Sequence, residues 1–319
     1  MQCKICGNSD NNTVYEATEL MLGIRDKHNY IQCSACHCLQ IVDIPENLPS
    51  YYPDDDYYSY DKIQSVTGIK KFLINKRDLY AATGSCFLGK VIHQFMPHSK
   101  IHTLQKTGIT KDSRILDVGC GAGHLLHSLQ EAGFTNLLGI DPFNADDIQY
   151  DNGLKIEKKS IHEMQTGDWD LIMFHHSFEH VADQTETLTK ASELLTSGGT
   201  CLVRVPTASS WAWQHYGVNW VQLDAPRHLF LHSIESMTLL AEKVGLTMAD
   251  VVYDSFAFQF WGSEQYKKDI PLNDERSYAV NPENSPFYKD DIADFDKRSI
   301  ELNKKNQGDQ AAFYLKKSA

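Results

Sequence analysis

The stretch Leu116-Asp-Val-Gly-Cys-Gly-Ala-Gly123 constrains this chain more than any other. Ile115, Leu116 and Val118 make a short buried strand, three glycines follow at alternate positions, and Leu125, Leu126 and Leu129 then take helical spacing. A strand, a glycine turn and a helix in that order aim backbone amides at whatever sits before the helix. Gly119, Gly121 and Gly123 can take positive φ and, lacking side chains, let a ligand lie against the main chain. The turn predicts a cradle for a nucleotide-like ligand. A dinucleotide fingerprint needs its third glycine five places after the first; here Gly123 stands four after Gly119, and an acidic Asp117 precedes the turn. No Gly-Lys-Ser/Thr follows, which argues against a P-loop.

Around this turn the pattern is βαβ repeated from about residue 113. A strand at 114–118 leads to a helix at 124–132, and a second strand at 137–140 ends at Asp141, whose carboxylate at a strand's carboxyl end is placed to accept both hydroxyls of a ribose. Lys155–Glu157 follows, then a fourth strand at 169–174 running into His175-His-Ser-Phe-Glu-His-Val181, a helix at 184–195 and a strand at 200–205. Ser233 is the expected N-cap of a helix at 233–244 with Gly245 as its stop, a strand follows at 246–253, and residues 309–316 read as the last strand. Residues 68–106 carry helical apolar spacing, and 262–308 are a polar insertion, also helical.

Eight cysteines include two C-x-x-C pairs, Cys3 with Cys6 and Cys33 with Cys36, separated by 26 residues. Paired thiolate hooks suit a tetrahedral metal site, zinc first, better than disulfides. Gly7 fits a tight knuckle after the first hook, whereas His37 and Cys38 follow the second, which leaves Cys38 open as the fourth ligand. Residues 1–43 are thus expected to form a zinc-ribbon-like module. Residues 44–67 are a boundary rich in Tyr, Pro and Asp, read either as a plain linker or as a flap in which Tyr57 and Tyr58 pack a flat acceptor.

With 30 basic and 42 acidic residues the formal charge is −12. Such a field does not draw the whole chain to nucleic acid or anionic lipid. The amino terminus has no apolar signal core, and no run approaches the roughly 20 apolar residues of a membrane span. The expectation is a soluble cytoplasmic protein without membrane insertion.

The glycine turn closely resembles motif I of the class I S-adenosylmethionine-dependent methyltransferases. The Trp169-Asp-Leu-Ile-Met-Phe174 strand with its Glu179-His-Val181 ending, the Ser197-Gly-Gly199 turn and the four-cysteine module extend the likeness over nearly the whole chain, toward bacterial enzymes with an amino-terminal zinc ribbon that act on sugars. The resemblance implies an α/β, doubly wound, Rossmann-like sheet of seven strands, the last inserted antiparallel at the sheet edge, within a domain spanning 68–319 whose helices at 68–106 cap the ligand. It implies S-adenosylmethionine held by Asp117, Gly119, Cys120, Gly121, Gly123 and His175, with Asp141 on the ribose and Ser160 and Ile161 at the adenine, and a structural zinc on Cys3, Cys6, Cys33 and Cys36.

The expected reaction is O-methylation of a small-molecule or sugar acceptor in a nucleotide-sugar or surface-glycan pathway. Trp213, Trp220 and Arg227 lie in an aromatic stretch after the 200–205 strand and are acceptor-binding candidates. A protonated hydroxyl is a poor nucleophile, so a histidine base is expected: His176 or His228, with His180 behind them. His176, Glu179 and His180, at i, i+3 and i+4, are alternatively a divalent-ion site. Two rival readings remain: a cofactor-binding protein without turnover that acts through its ribbon, and an RNA methyltransferase, which the acidic charge disfavours.

Overall fold

The computed structural model describes residues 1–52, 66–165 and 167–318. Its amino-terminal part starts with two turns of one design. The Gly7 amide donates to the Cys3 carbonyl at 2.9 Å, and the His37 amide to the Cys33 carbonyl at 3.0 Å. Both Gly7 (φ 79°) and His37 (φ 56°) are left-handed. Glycine adopts that conformation freely and histidine against a steric penalty, so the second hook reproduces the first in spite of its sequence. The first turn precedes, and the second connects β2 to β3 within, an antiparallel meander of β1 (Thr13–Thr18), β2 (Lys27–Gln32) and β3 (Leu39–Ile41).

A helical hairpin follows, α1 (Gly68–Thr83) and α2 (Phe87–Phe95), then the short α3 (Ser99–His102). Gly89 lets the two long helices meet, because a Cβ there would stand 2.0 Å from the Lys76 carbonyl oxygen. Ala81 and Ala82 turn inward onto Ile101 and Leu104.

The main sheet begins at β4 (Ile115–Val118), buried along its whole length, and runs through α4 (His124–Glu131), β5 (Leu137–Ile140), β6 (Ile148–Gln149), β7 (Lys155–Glu157) and β8 (Trp169–His175). It continues with α5 (Gln184–Leu194), β9 (Leu195–Pro206), α6 (Trp211–Tyr216), β10 (Phe230–Leu231), α7 (Ile234–Lys243) and β11 (Leu246–Tyr253). The last elements are α8 (Phe258–Lys267), α9 (Lys289–Lys304) and β12 (Gln310–Lys317). The order across the sheet is β11-β12-β9-β8-β4-β5-β7-β6. Successive strands leave β4 first toward β5 and β7, then return on its other side as β8 and β9, so the crevice at the carboxyl ends of β4, β5 and β8 is the topological switch point.

Two expectations need correction. The sheet has eight strands among the described residues, not seven, because the two-residue β6 pairs antiparallel with β7 at one edge. Nor does β12 lie at the edge: it is antiparallel to both β9 and β11 and sits between them. Alternating periodicity identifies a strand, but its neighbours are chosen by contacts distant in sequence. The Ser233 N-cap is as expected, accepting from the Ser236 amide. The 262–308 insertion supplies most of α8 and all of α9; Gly262 lies against Val221 and Phe260 stacks on Phe295, so it covers the aromatic stretch after β9. No helix among the described residues is long and apolar enough to cross a membrane.

The amino-terminal meander is not self-contained. Its fourth strand is β10, with Phe230 opposite Gln40 and Leu231 opposite Leu39. The Ser233 hydroxyl donates to the Cys36 carbonyl at 2.6 Å, and the Tyr30 hydroxyl to the His228 carbonyl at 2.8 Å.

Candidate functional site

At the switch point Asp141 ends β5 and folds back onto the glycine turn. Its carboxylate accepts the Gly121 amide at 2.8 Å on one oxygen and the Phe143 amide at 2.9 Å on the other. Each oxygen keeps a second lone pair for a hydroxyl. Asn144, which sequence patterns do not single out, donates to the Gly121 carbonyl at 3.0 Å and pins the turn from the same side. Asp117, on β4, is buried with an oxygen that has no partner, and burial together with the charge of Asp141 pushes its pKa up to about 8.

The turn's glycines are left-handed, φ 72° at Gly119, 55° at Gly121 and 77° at Gly123. At two of them the crowding comes from protein. A Cβ on Gly119 would lie 2.5 Å from the Cβ of Ser177, and one on Gly123 would lie 2.4 Å from Ile156. Ser177 ties the end of β8 to that of β4 by donating to the Val118 carbonyl at 2.6 Å. The Cys120 sulfur packs toward Gly139, where a Cβ would meet it at 2.6 Å. Ser160 caps a short turn at Ile161–Glu163 after β7, its amide and hydroxyl both bonded to the Glu163 carboxylate, with Ile161 buried. At the end of β8 both ring nitrogens of His175 are buried without a partner. Burial holds its pKa well below the usual histidine range, helped by the charges of Arg204, His176 and Lys100, so the ring is neutral.

Just past β8 the chain turns through His176, itself left-handed at φ 54°. Arg204 donates to His176 Nε2 at 2.5 Å. Arginine cannot accept, so Nε2 is the lone-pair nitrogen and Nδ1 carries the proton, 3.3 Å from Glu179 Oε1. The nitrogen a base would use is therefore occupied. His180 and His228 are arranged the other way. His180 Nδ1 lies 2.9 Å from the Arg227 carbonyl, with the Tyr52 hydroxyl at 3.1 Å, and His228 Nδ1 lies 2.8 Å from the Gln222 carbonyl. A carbonyl only accepts, so each Nδ1 carries a proton and each Nε2 keeps its lone pair. The two rings are 4.9 Å apart.

Glu179 lies beside them, fully buried, with Oε1 facing the protonated Nδ1 of His176 at 3.3 Å and Oε2 without a hydrogen-bond partner. Burial alone would raise its pKa; the three imidazoles, His176 first, outweigh burial and hold it down at about 2. The ligand atoms of Glu179, His180 and His228 lie within 4.8 Å of one another, a set that could hold a divalent ion, with Nδ1 of each histidine anchored as metal-bound imidazoles usually are. His228 comes from a loop that only the fold brings here, and it stands where the sequence pattern had placed His176.

The proposed acceptor residues are mostly elsewhere. Trp220 is fully buried and donates to Asp309 at 3.0 Å, and Trp213 is buried 5.0 Å from Tyr15. Arg227 is buried, paired in bidentate fashion with Asp224, and donates to the Tyr51 carbonyl at 3.0 Å. These side chains hold the loop that carries His228 and present no free face to an acceptor. Tyr57 and Tyr58 lie outside the described residues. Among the described residues of the linker, Tyr52 reaches the site through its hydroxyl, 3.1 Å from His180 Nδ1.

The remaining cluster is sulfur. Cys3 and Cys36 Sγ are 3.6 Å apart and Cys6 and Cys33 Sγ 3.5 Å, and all four lie within 4.8 Å of one another, while Cys38 turns away toward the Leu39 carbonyl.

A family model described as a methyltransferase domain matches residues 91–251. Among curated proteins the chain is similar to the ubiquinone biosynthesis O-methyltransferase of Escherichia coli O7:K1, 22% identical over 167 residues that cover 49% of this chain and 69% of that protein. Among solved structures it is similar to a SAM-dependent methyltransferase from Archaeoglobus fulgidus, with 18% identity and a TM-score of 0.44 over 72% of this chain and 100% of that one. It is also similar to the cyclopropane synthase MmaA2 from Mycobacterium tuberculosis, with 13% identity and a TM-score of 0.42 over 80% of this chain and 100% of that one.

Proposed function

The chain belongs to the methyltransferase-domain family, and from that premise we propose that it transfers the methyl group of S-adenosylmethionine to a hydroxyl of a small-molecule acceptor. The observation that carries this reading is a carboxylate-rich cofactor cradle at the ends of β4 and β5, tied through Ser177 to the end of β8, just after which two imidazoles have Nδ1 anchored on carbonyls and Nε2 turned away from them. When bound, the cofactor supplies a methyl on a positive sulfonium, electrophilic without further activation. The residues fit it: Asp141 offers two lone pairs to ribose hydroxyls, and the unpartnered Asp117 oxygen suits a cationic ligand.

His228 is our choice of base. Its Nε2 would take the acceptor's proton as the acceptor oxygen bonds to the methyl carbon and the carbon–sulfur bond breaks, the electron pair going to sulfur to leave the neutral thioether S-adenosylhomocysteine. Asp224 Oδ2 at 3.6 Å and Glu179 Oε1 at 4.0 Å stabilise the imidazolium that results. A second reading rests on the buried Glu179 carboxylate, whose Oε2 has no hydrogen-bond partner: a divalent ion on Glu179, His180 and His228 would acidify the hydroxyl instead. For the acceptor we favour a sugar hydroxyl, on the likeness of the cysteine module and Tyr-rich linker to sugar-acting enzymes. The four thiolates suit one structural zinc, because a tetrahedral site with Zn–S of about 2.3 Å has sulfurs about 3.8 Å apart.

The test is transfer of labelled methyl from S-adenosylmethionine to a panel of nucleotide sugars and other hydroxyl compounds, with RNA in parallel. Label in a sugar or another small hydroxyl supports the proposal. Label in RNA alone, or tight cofactor binding without any transfer, sinks it in favour of the rival readings.

Calorimetry with S-adenosylhomocysteine tests the cradle separately. Losing a charged acceptor for two hydroxyls is expected to weaken binding by about 10²-fold in Asp141→Ala. At pH 7 an Asp117 with its pKa pushed up to about 8 is mostly protonated, and a cationic ligand favours its carboxylate. Binding of the sulfonium S-adenosylmethionine, measured in place of S-adenosylhomocysteine, should then release on the order of one proton, and its affinity should rise with pH until about pH 8 and level off above it. Equal binding enthalpies in buffers of different ionisation heat would rule out that release.

A further inference from the structure

We propose that the outer face of the α1–α2 hairpin seats this protein on an anionic lipid surface. The chain as a whole is acidic, yet residues 66–107 hold seven basic residues, Lys70, Lys71, Lys76, Arg77, Lys90, Lys100 and Lys106, against the single acid Asp78. The other 23 basic residues of the chain stand against 41 acidic ones. Averaging over the full length hides a strongly cationic segment.

That segment also carries a group of large apolar side chains left in water. Phe87 is 84% exposed, Phe95 82% and Ile69 81%, and Phe72, Leu88, Val91 and Met96 are exposed beside them. Phe87, Val91 and Phe95 are four residues apart and share one face of α2. The hairpin has already spent its inner side: Gly89 is locked against Lys76 and the two alanines of α1 are in the core. What remains is a rigid helical pair with aromatic tips outward and lysines among them, and Lys76 lies over the Phe72 ring at 5.3 Å.

Three of the basic residues are engaged in ion pairs, Lys71 with Glu131, Arg77 with Asp78 and Lys106 with Asp250. Lys70 and Lys90 stand exposed on the hairpin itself. Apolar side chains flanked by lysines are the composition of helices that lie in a bilayer interface, and positive charge selects the anionic leaflet. A second copy of the chain fits less well, since it would press one cationic segment against another.

The experiment is co-sedimentation of the full chain with vesicles of phosphatidylcholine alone, or of phosphatidylcholine and phosphatidylglycerol in equal parts. The expected result is binding to the mixed vesicles, weak binding to the neutral ones, and release as salt is raised, because surface charges are screened. Phe87→Ser with Phe95→Ser, and separately Lys70→Glu with Lys90→Glu, should each lower the bound fraction at least about tenfold while S-adenosylhomocysteine binding is unchanged. Failure of the wild type to bind mixed vesicles, equal binding to both vesicle types, or full binding by either double variant overturns the proposal. So does a concentration-dependent dimer that Phe87→Ser with Phe95→Ser abolishes, since the face would then belong to a second copy.

Discussion

His228→Ala is expected to lower kcat by about 10²–10⁴-fold, the usual share of a general base, and to leave S-adenosylhomocysteine affinity unchanged. The reason lies in the ring's two anchors: Nδ1 is held by the Gln222 carbonyl and Nε2 is left beside two carboxylates. His176→Ala should have a different signature. Its Nε2 is taken by Arg204, which is also bound to Asp254 at 2.7 Å, so its loss disturbs the end of β8 rather than removing a proton acceptor. His228→Ala should lower kcat with KM unchanged, whereas His176→Ala should move both. Activity that EDTA abolishes and Mn²⁺ or Mg²⁺ restores, with the four-cysteine metal retained, would move His228 from base to ligand. Near-wild-type turnover by His228→Ala would remove it from the mechanism.

The second large effect is expected far from the chemistry. Cys3→Ser with Cys6→Ser should abolish the zinc binding proposed for the four thiolates and, with it, about 10²-fold or more in turnover, since displacements of about 1 Å in a positioned group cost that much. The path is short: Cys36 holds Ser233, β3 holds β10, and Tyr30 holds the carbonyl of His228 itself. Elemental analysis, turnover and S-adenosylhomocysteine binding measured on the same preparation separate the cases. Metal lost with turnover intact would show that the module is merely attached. Metal and turnover lost with cofactor binding kept is the expected outcome, because the Asp117–Asp141 cradle is built from other residues.

Local signals were legible. The glycine turn, the apolar strands, the Ser233 cap and the C-x-x-C spacing are each written within a few residues, and most of the corresponding elements lie within a few positions of where periodicity puts them; the exception is β9, which starts at Leu195 and absorbs the expected Ser197-Gly-Gly199 turn. What depends on contacts between distant segments was not. Trp220 and Arg227 look like binding residues in a string of letters, because burial against Asp309 and Asp224 cannot be read from composition. The exchange of His228 for His176 beside Glu179 has the same origin: i, i+3, i+4 spacing describes a helix, but the chain after β8 makes only the short turn Phe178–His180, with His176 already left-handed. Charge failed differently, since one total for the chain concealed the cationic 66–107 segment.

The pairing of Leu39 with Leu231 also sets an order of events during synthesis. At roughly 5–20 residues per second, the β1–β3 meander leaves the ribosome about 10–40 s before β10 exists to complete its sheet. For that interval the hooks and two hairpin turns must keep β3 in register with one edge unpaired, and an unpaired edge is where strands from other chains add. On the zinc proposed for the four thiolates, metal supply during translation is expected to govern the yield of folded chain.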